Sequence, residues 1–292
     1  MTNSPASPSR QRTFGIVPVV VVALGSALVG AVLGGAYVSR QQGDDAGGTR
    51  STPPAVATSA EALYAELQPV ALANCTLERF GEAADGGYLL CANLLGRVSA
   101  GYSYGISGYD GWGCEVSSRL DMPVHQYDCF DLSVPACPTG RTIFHGECVA
   151  GVPSRDDEGR RFDTVSGHVL VNGDADGQLV LKMDVEGAEW DSFFRMNEAT
   201  LNLIDQLVVE FHGIHEDRFL ATIRRLKQYF EIAHLHYNNH TCDVAAAPHP
   251  AHVYEVLFVS KRLARLAPSE PAPVRPHALD APNDPFSPDC QS

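Results

Sequence analysis

The chain reads as an α/β domain with a Rossmann-like, doubly wound, mostly parallel sheet, carried behind an N-terminal single transmembrane helix. Two observations predict the sheet. Apolar runs alternate with amphipathic stretches through residues 59–263, and runs such as "QLVVEFH" are almost continuously apolar around Leu207–Val209, as strands covered on both faces are. The third observation predicts the anchor. Residues 14–38, "FGIVPVVVVALGSALVGAVLGGAYV", hold no charge and are long enough to cross a hydrocarbon layer of about 30 Å.

Residues 1–13 form a short N-terminal tail with Arg10 and Arg12, and Arg40, Asp44 and Asp45 follow the apolar segment. This bias of basic residues puts the N-terminus in the cytosol and the rest of a type II protein in the Golgi or ER lumen or outside the cell. A cleaved signal peptide competes with the anchor, but its apolar region usually runs only about 7–15 residues. Residues 39–58 are rich in Gly, Ser, Thr and Pro and read as a flexible stem. Within 59–263, period and turn residues predict strands at 100–107, 124–130, 142–151, 179–185 and 206–212 and helices at 112–120, 162–171, 189–196 and 217–230. Strands at 231–237 and 253–261 close the domain as a hairpin at the sheet edge. The proline-rich segment 264–292 predicts no packed structure. No internal repeat of period 20–50 appears, which excludes a solenoid or propeller.

The net charge is −14 and no Lys/Arg run follows the anchor, so a nucleic-acid surface is excluded. Small or neutral substrates fit better. Eight cysteines, an even number, and the sequons "NCT" at Asn74 and "NHT" at Asn239 agree with the anchor in pointing to a lumenal glycoprotein. Gly30 and Gly34 in "GAVLG" give a small-residue face on which two anchors could pair into a homodimer.

In an open parallel sheet, ligands bind beyond the carboxyl ends of the strands. The first end, "YGISGYDGWGCE", puts Gly105, Gly108, Gly111 and Gly113 in a turn before a helix, where backbone can approach a ligand closely. The second, "HQYDCFD", places Asp128, with Asp131 as its rival, where an acid accepts hydrogen bonds from ribose hydroxyls. The third and fourth, "KMDVEG" and "VVEFHG", bring Asp184, Glu186, Glu210 and His212 to one rim if their strands are neighbours. Asp184, Glu186 and His212 suit general base work, and Asp184, Glu210 and His212 suit a divalent cation. Glu189 reads as an acid favoured by the positive end of its helix, Trp190 as packing, and "HLHYNNH" as an edge-strand feature, not a zinc site. A Walker-type phosphate loop is absent.

"LKMDVEGAEW" resembles the signature of FkbM-type S-adenosylmethionine-dependent methyltransferases, and "RFGEAADGGYLLC" (79–91) followed by "YSYGISGYDGWGCE" resembles the opening of a related eukaryotic, often membrane-anchored methyltransferase-like domain. The resemblance spans about 75–260. It implies a Rossmann-like fold, S-adenosylmethionine over the first two strand ends with Gly105 and Ser107 lining it and Asp128 on its ribose, and Asp184 where cofactor meets acceptor. It implies O-methylation of a hydroxyl acceptor such as a sugar. In the same family-like opening, Cys75 and Cys91 bracket "DGGY" and are expected to pair if the domain is lumenal; the other six cysteines have no pairing readable from sequence. A membrane-tethered, catalytically inactive ectodomain of the same fold, binding a glycan or protein partner, is the competing expectation.

Overall fold

The computed structural model describes residues 57–290. The expected anchor at 14–38 and nearly all of the stem lie outside the described residues. Among the described residues, no helix is long and apolar enough to cross a membrane.

The first helix, α1 (Ser59–Glu66), starts on a capping box in which Thr58 and Glu61 satisfy each other's backbone N–H, a reciprocal arrangement that closes the open end of a helix. A hairpin follows, β1 (Leu77–Gly81) and β2 (Gly87–Cys91). Then come β3 (Ala100–Tyr104), α2 (Gly111–Leu120), β4 (Pro123–Tyr127) and β5 (Arg141–His145). Three short strands, β6 (Cys148–Val149), β7 (Ser154–Arg155) and β8 (Arg161–Asp163), form a small separate sheet. The remainder is α3 (Val165–Asn172), β9 (Leu179–Met183), α4 (Glu189–Arg195), α5 (Glu198–Leu203), β10 (Ile204–His212), α6 (Asp217–Leu226), β11 (Phe230–Tyr237) and β12 (Val253–Ser260).

Seven strands form one sheet in the order β11-β12-β10-β9-β3-β4-β5. All are parallel except β12, which runs antiparallel to both β10 and β11. The chain therefore winds outward in one direction from β3 and in the other from β9, and the switch point lies between these two neighbours. One face packs against α1, α3, α4, α5 and α6 around Trp190, Phe193, Phe211 and Phe258. The other packs against α2 and the β1–β2 hairpin around Phe80, Tyr88, Trp112 and Val208.

The expected strand at 142–151 is two strands in two sheets, broken at Gly146. The expected helix at 162–171 begins with a strand residue pair and becomes helical only after Thr164, whose side chain caps it. The helix expected to reach residue 230 ends at Leu226. Sequence patterning gave no sign of α1, the β1–β2 hairpin or the short α5.

The segment expected to lack packed structure differs most. Residues 264–290 hold no helix or strand, yet Asn283 is buried and Cys290 is bonded to Cys242. Polar groups and a disulfide hold this segment in place of an apolar face, which hydrophobic periodicity does not register.

All eight cysteines pair: Cys75–Cys91, Cys114–Cys137, Cys129–Cys148 and Cys242–Cys290. The first is the pair the resemblance implied. Four disulfides fit an oxidising compartment.

Candidate functional site

Alternation along the strands builds the site. Successive side chains point to opposite faces, so Lys182 and Asp184 share one face, as do Glu210 and His212. Lys182 is registered with Val208 and Met183 with Val209, which sets Asp184 beside Glu210. Both face Tyr88 of the hairpin, whose hydroxyl lies 3.4 Å from Asp184 Oδ2 and 3.4 Å from Glu210 Oε2. Thus two separate sequence motifs meet because their strands are neighbours in the sheet.

His212 is the centre of the cluster. Its Nε2 lies 3.5 Å from Glu186 Oε2, 3.9 Å from Asp184 Oδ1 and 4.0 Å from Glu210 Oε1. On its other side, Glu189 Oε1 accepts from the His212 backbone N–H (2.8 Å) and from Nδ1 (2.9 Å). Glu189 Oε2 accepts from the Gly187 N–H at 2.8 Å. Glu189 is the first residue of α4, as expected, but it is fully buried. It is not a solvated helix-start acid: it orients the imidazole and fixes the proton on Nδ1. Trp190 packs as expected, stacked between Phe211 and Phe219, and its indole N–H also donates to the His212 carbonyl.

Charge is concentrated here. Burial pushes the Glu210 carboxyl up, and the neighbouring Asp184 and Glu255 carboxylates push it further. Burial alone would lower His212, but the Glu189 hydrogen bond and the charges of Glu189, Glu186 and Asp184 outweigh it and raise the imidazole. Asn238 donates to Glu210 Oε1 at 3.0 Å. Lys182 supplies the buried cation: its Nζ donates to the Gly105 carbonyl at 2.8 Å and lies 3.4 Å from Asp184 Oδ2. Sequence reading passed over Lys182, Tyr88 and Asn238. For Lys182 a signal existed, since lysine is almost never buried unless paired, and here it interrupts an apolar strand.

A cleft of about 310 Å³ opens at the switch point. Gly105, Ser107, Asp128, Asp184 and Glu186 all line it, with Tyr104, Tyr127, Phe130, Phe162 and the Cys129–Cys148 disulfide among the other walls. Gly105 has φ +75°, and a β-carbon there would stand 1.6 Å from the Asp184 carbonyl oxygen. Only glycine fits. Ser107 and Glu186 are two of the three described non-glycine residues with positive φ, at 46° and 55°; such backbone concentrates at ligand sites. Glu210 and His212 are not cleft walls: they lie behind Asp184, which belongs to both.

Asp128 stands at the end of β4, where it was expected, but its carboxylate is already engaged. Oδ2 accepts from Ile106 N (3.2 Å) and Ser107 N (2.8 Å), and Oδ1 from Phe130 N (2.8 Å) and Asp131 N (3.0 Å). A carboxylate offers about four acceptor positions, and backbone fills them. Asp128 here ties the two loops that floor the cleft.

The donor atoms of Asp184, Glu210 and His212 lie within 4.8 Å of one another, and among the described residues no other such group of metal-ligating side chains occurs. Two carboxylates and an imidazole held by a buried carboxylate are a donor set that fits a divalent cation, although the Lys182 ammonium competes for Asp184. His234 and His236 of "HLHYNNH" sit on the edge strand β11 and pair with carboxylates instead.

No family model and no curated protein matches the sequence. Among solved structures, the chain is similar to methyltransferase FkbM from Methylobacillus flagellatus, at 14% identity and a TM-score of 0.36. The likeness covers 55% of this chain and 43% of that one.

Proposed function

We propose that the chain is an S-adenosylmethionine-dependent methyltransferase acting on a hydroxyl acceptor, with a sugar or glycan as the first candidate. The observation that carries this reading is the convergence of Gly105, Ser107, Asp184 and Glu186 in one cleft at the switch point, with Asp184 shared between that cleft and the His212 cluster. The sequence resemblance supplies the cofactor.

Bound S-adenosylmethionine would supply an electrophilic methyl group. The protein must then position the acceptor oxygen in line and take its proton. Asp184, on the cleft wall, accepts the hydrogen bond of the incoming hydroxyl. His212 accepts the proton at Nε2 in its neutral form, which a pKa raised to about 9 confines to alkaline pH, while Glu189 keeps the other ring nitrogen as a donor. Glu186, with its side chain 88% exposed, meets the acceptor at the rim. Asp184, Glu210 and His212 are also the residues that would hold a divalent cation, whose chemistry is to lower the pKa of a bound hydroxyl. The domain would work in the lumen of the secretory pathway or outside the cell behind the 14–38 anchor, as a homodimer if the anchors pair.

Calorimetry of the full-length chain with S-adenosylmethionine is the test, with turnover on hydroxyl acceptors read before and after chelator. Absence of cofactor binding defeats the reading. Full activity in chelator removes the cation alone. A second reading, an inactive tethered ectodomain that binds a glycan or protein, draws support from Asp128, whose acceptor capacity is spent on backbone. Measurable turnover on any acceptor removes it.

A further inference from the structure

Residues 267–290 run as a strap along the edge of the sheet. Asp280 lies 2.8 Å from His234 Nε2 and Asp289 3.3 Å from His236 Nε2. Arg275 donates to Gln68 at 2.8 Å, and Cys290 is bonded to Cys242. Asn283, 3% exposed, donates to Glu255 Oε1 (2.8 Å) and Asp85 Oδ1 (3.1 Å). Glu255 is the register partner of Glu210, so the strap closes the back wall of the His212 cluster.

A second set of contacts passes through Asn239, the first residue of the "NHT" sequon. Its Nδ2 donates to the carbonyls of Asp284 (3.0 Å), Ser287 (3.0 Å) and Pro288 (3.3 Å), and its Oδ1 accepts from Asp284 N (2.8 Å). Asn239 is 8% exposed. The adjacent Asn238 holds Glu210. The strap thus uses as an anchor the amide nitrogen of this sequon that a glycosyl transferase would modify.

Glycosylation from an oligosaccharyl diphosphate donor breaks the sugar C1–O bond, the diphosphate leaving with the electron pair. A C1–Nδ2 bond forms, and one amide hydrogen departs as a proton. The product nitrogen keeps a single N–H and carries a bulky polar group, which cannot occupy the buried position among three strap carbonyls.

We propose that the strap and a glycan on Asn239 are mutually exclusive, so that modification of this one amide decides whether the back wall of the site assembles. In a glycosylated molecule Cys290 does not reach Cys242, and Glu255 loses the Asn283 donor.

The experiment uses the full-length chain from a secretory host, with a sequon appended at the C-terminus so that only lumen-delivered molecules are scored. Intact mass and disulfide mapping are read on each molecule, with Asn239→Gln to assign the glycan. The expected result is that the Asn239 glycan and the Cys242–Cys290 bond never share a molecule. Where the parent carries Asn239 bare, Cys290→Ser raises its occupancy at least several-fold. A molecule carrying both overturns the proposal, and so does an Asn239 bare in the parent and equally bare in Cys290→Ser. Neither outcome depends on cofactor binding.

Discussion

The buried carboxylate of Glu189 grips His212 twice, accepting its backbone N–H at 2.8 Å and its ring Nδ1 at 2.9 Å. This joins the first residue of α4 to the last residue of β10 and fixes which ring nitrogen faces Asp184. Removing the acid orphans these two donors and the Gly187 N–H together. Glu189→Ala is therefore expected to lose roughly 3–5 kcal/mol in denaturant unfolding, and Glu189→Gln less.

Gly105→Ala places a β-carbon on the Asp184 carbonyl at a positive-φ position. The cleft wall must shift to admit it. S-adenosylmethionine binding should fall at least tenfold by calorimetry, whereas Gly96→Ala, with no positive φ and nothing near its added β-carbon, should leave binding unchanged.

Asp128 is expected to act on the cleft through backbone. Asp128→Asn replaces an acceptor oxygen by a donor and removes two of the four N–H bonds. Amide exchange at two of Ile106, Ser107, Phe130 and Asp131 should speed up about tenfold or more, as the loss of a bond worth about 1.5–3 kcal/mol requires. Loss of cofactor binding with all four amides still protected would instead place the carboxylate on the ribose.

The strap has a pH limit on its alkaline side. For His236, burial opposes the charged form, but the Glu255 hydrogen bond and the charges of Glu255, Asp280 and Asp289 win and raise it from 6.5 to about 9. A raised histidine pKa contributes stability that is complete below 6.5 and lost as pH climbs through 9, about 3 kcal/mol at most. Unfolding free energy should decline over pH 6.5–9.5, and His236→Gln should flatten that decline.

The opposite sign holds for His168, which stacks on Tyr127 and bonds the Tyr104 hydroxyl. Burial lowers it to about 4. Its contribution is present above 6.5 and is lost as pH falls toward 4, again about 3 kcal/mol at most. Unfolding measured from pH 7 to 4 should show this loss, and His168→Phe should diminish it.

The sequence by itself determined the parallel core and the strand ends at which chemistry could sit. A buried parallel strand is nearly continuously apolar, so "LVLKM" and "QLVVEFH" announce themselves, and a polar residue at such a strand's tip stands out against that run. Asp184 is legible for this reason, as is its meeting with Glu210 and His212 when the two strands are neighbours. The burial of a charged residue at a helix start has no one-dimensional mark. Glu189 reads like any first-turn acid until β10 brings the His212 donors to it, and nothing along the chain marks the four backbone N–H groups that close on Asp128. The strap was invisible for a related reason: its hold on the sheet rests on a few polar contacts and one disulfide between residues far apart in the chain. Hydrophobic periodicity records which face of an element is buried, and only the tertiary structure decided which polar groups had to find one another there.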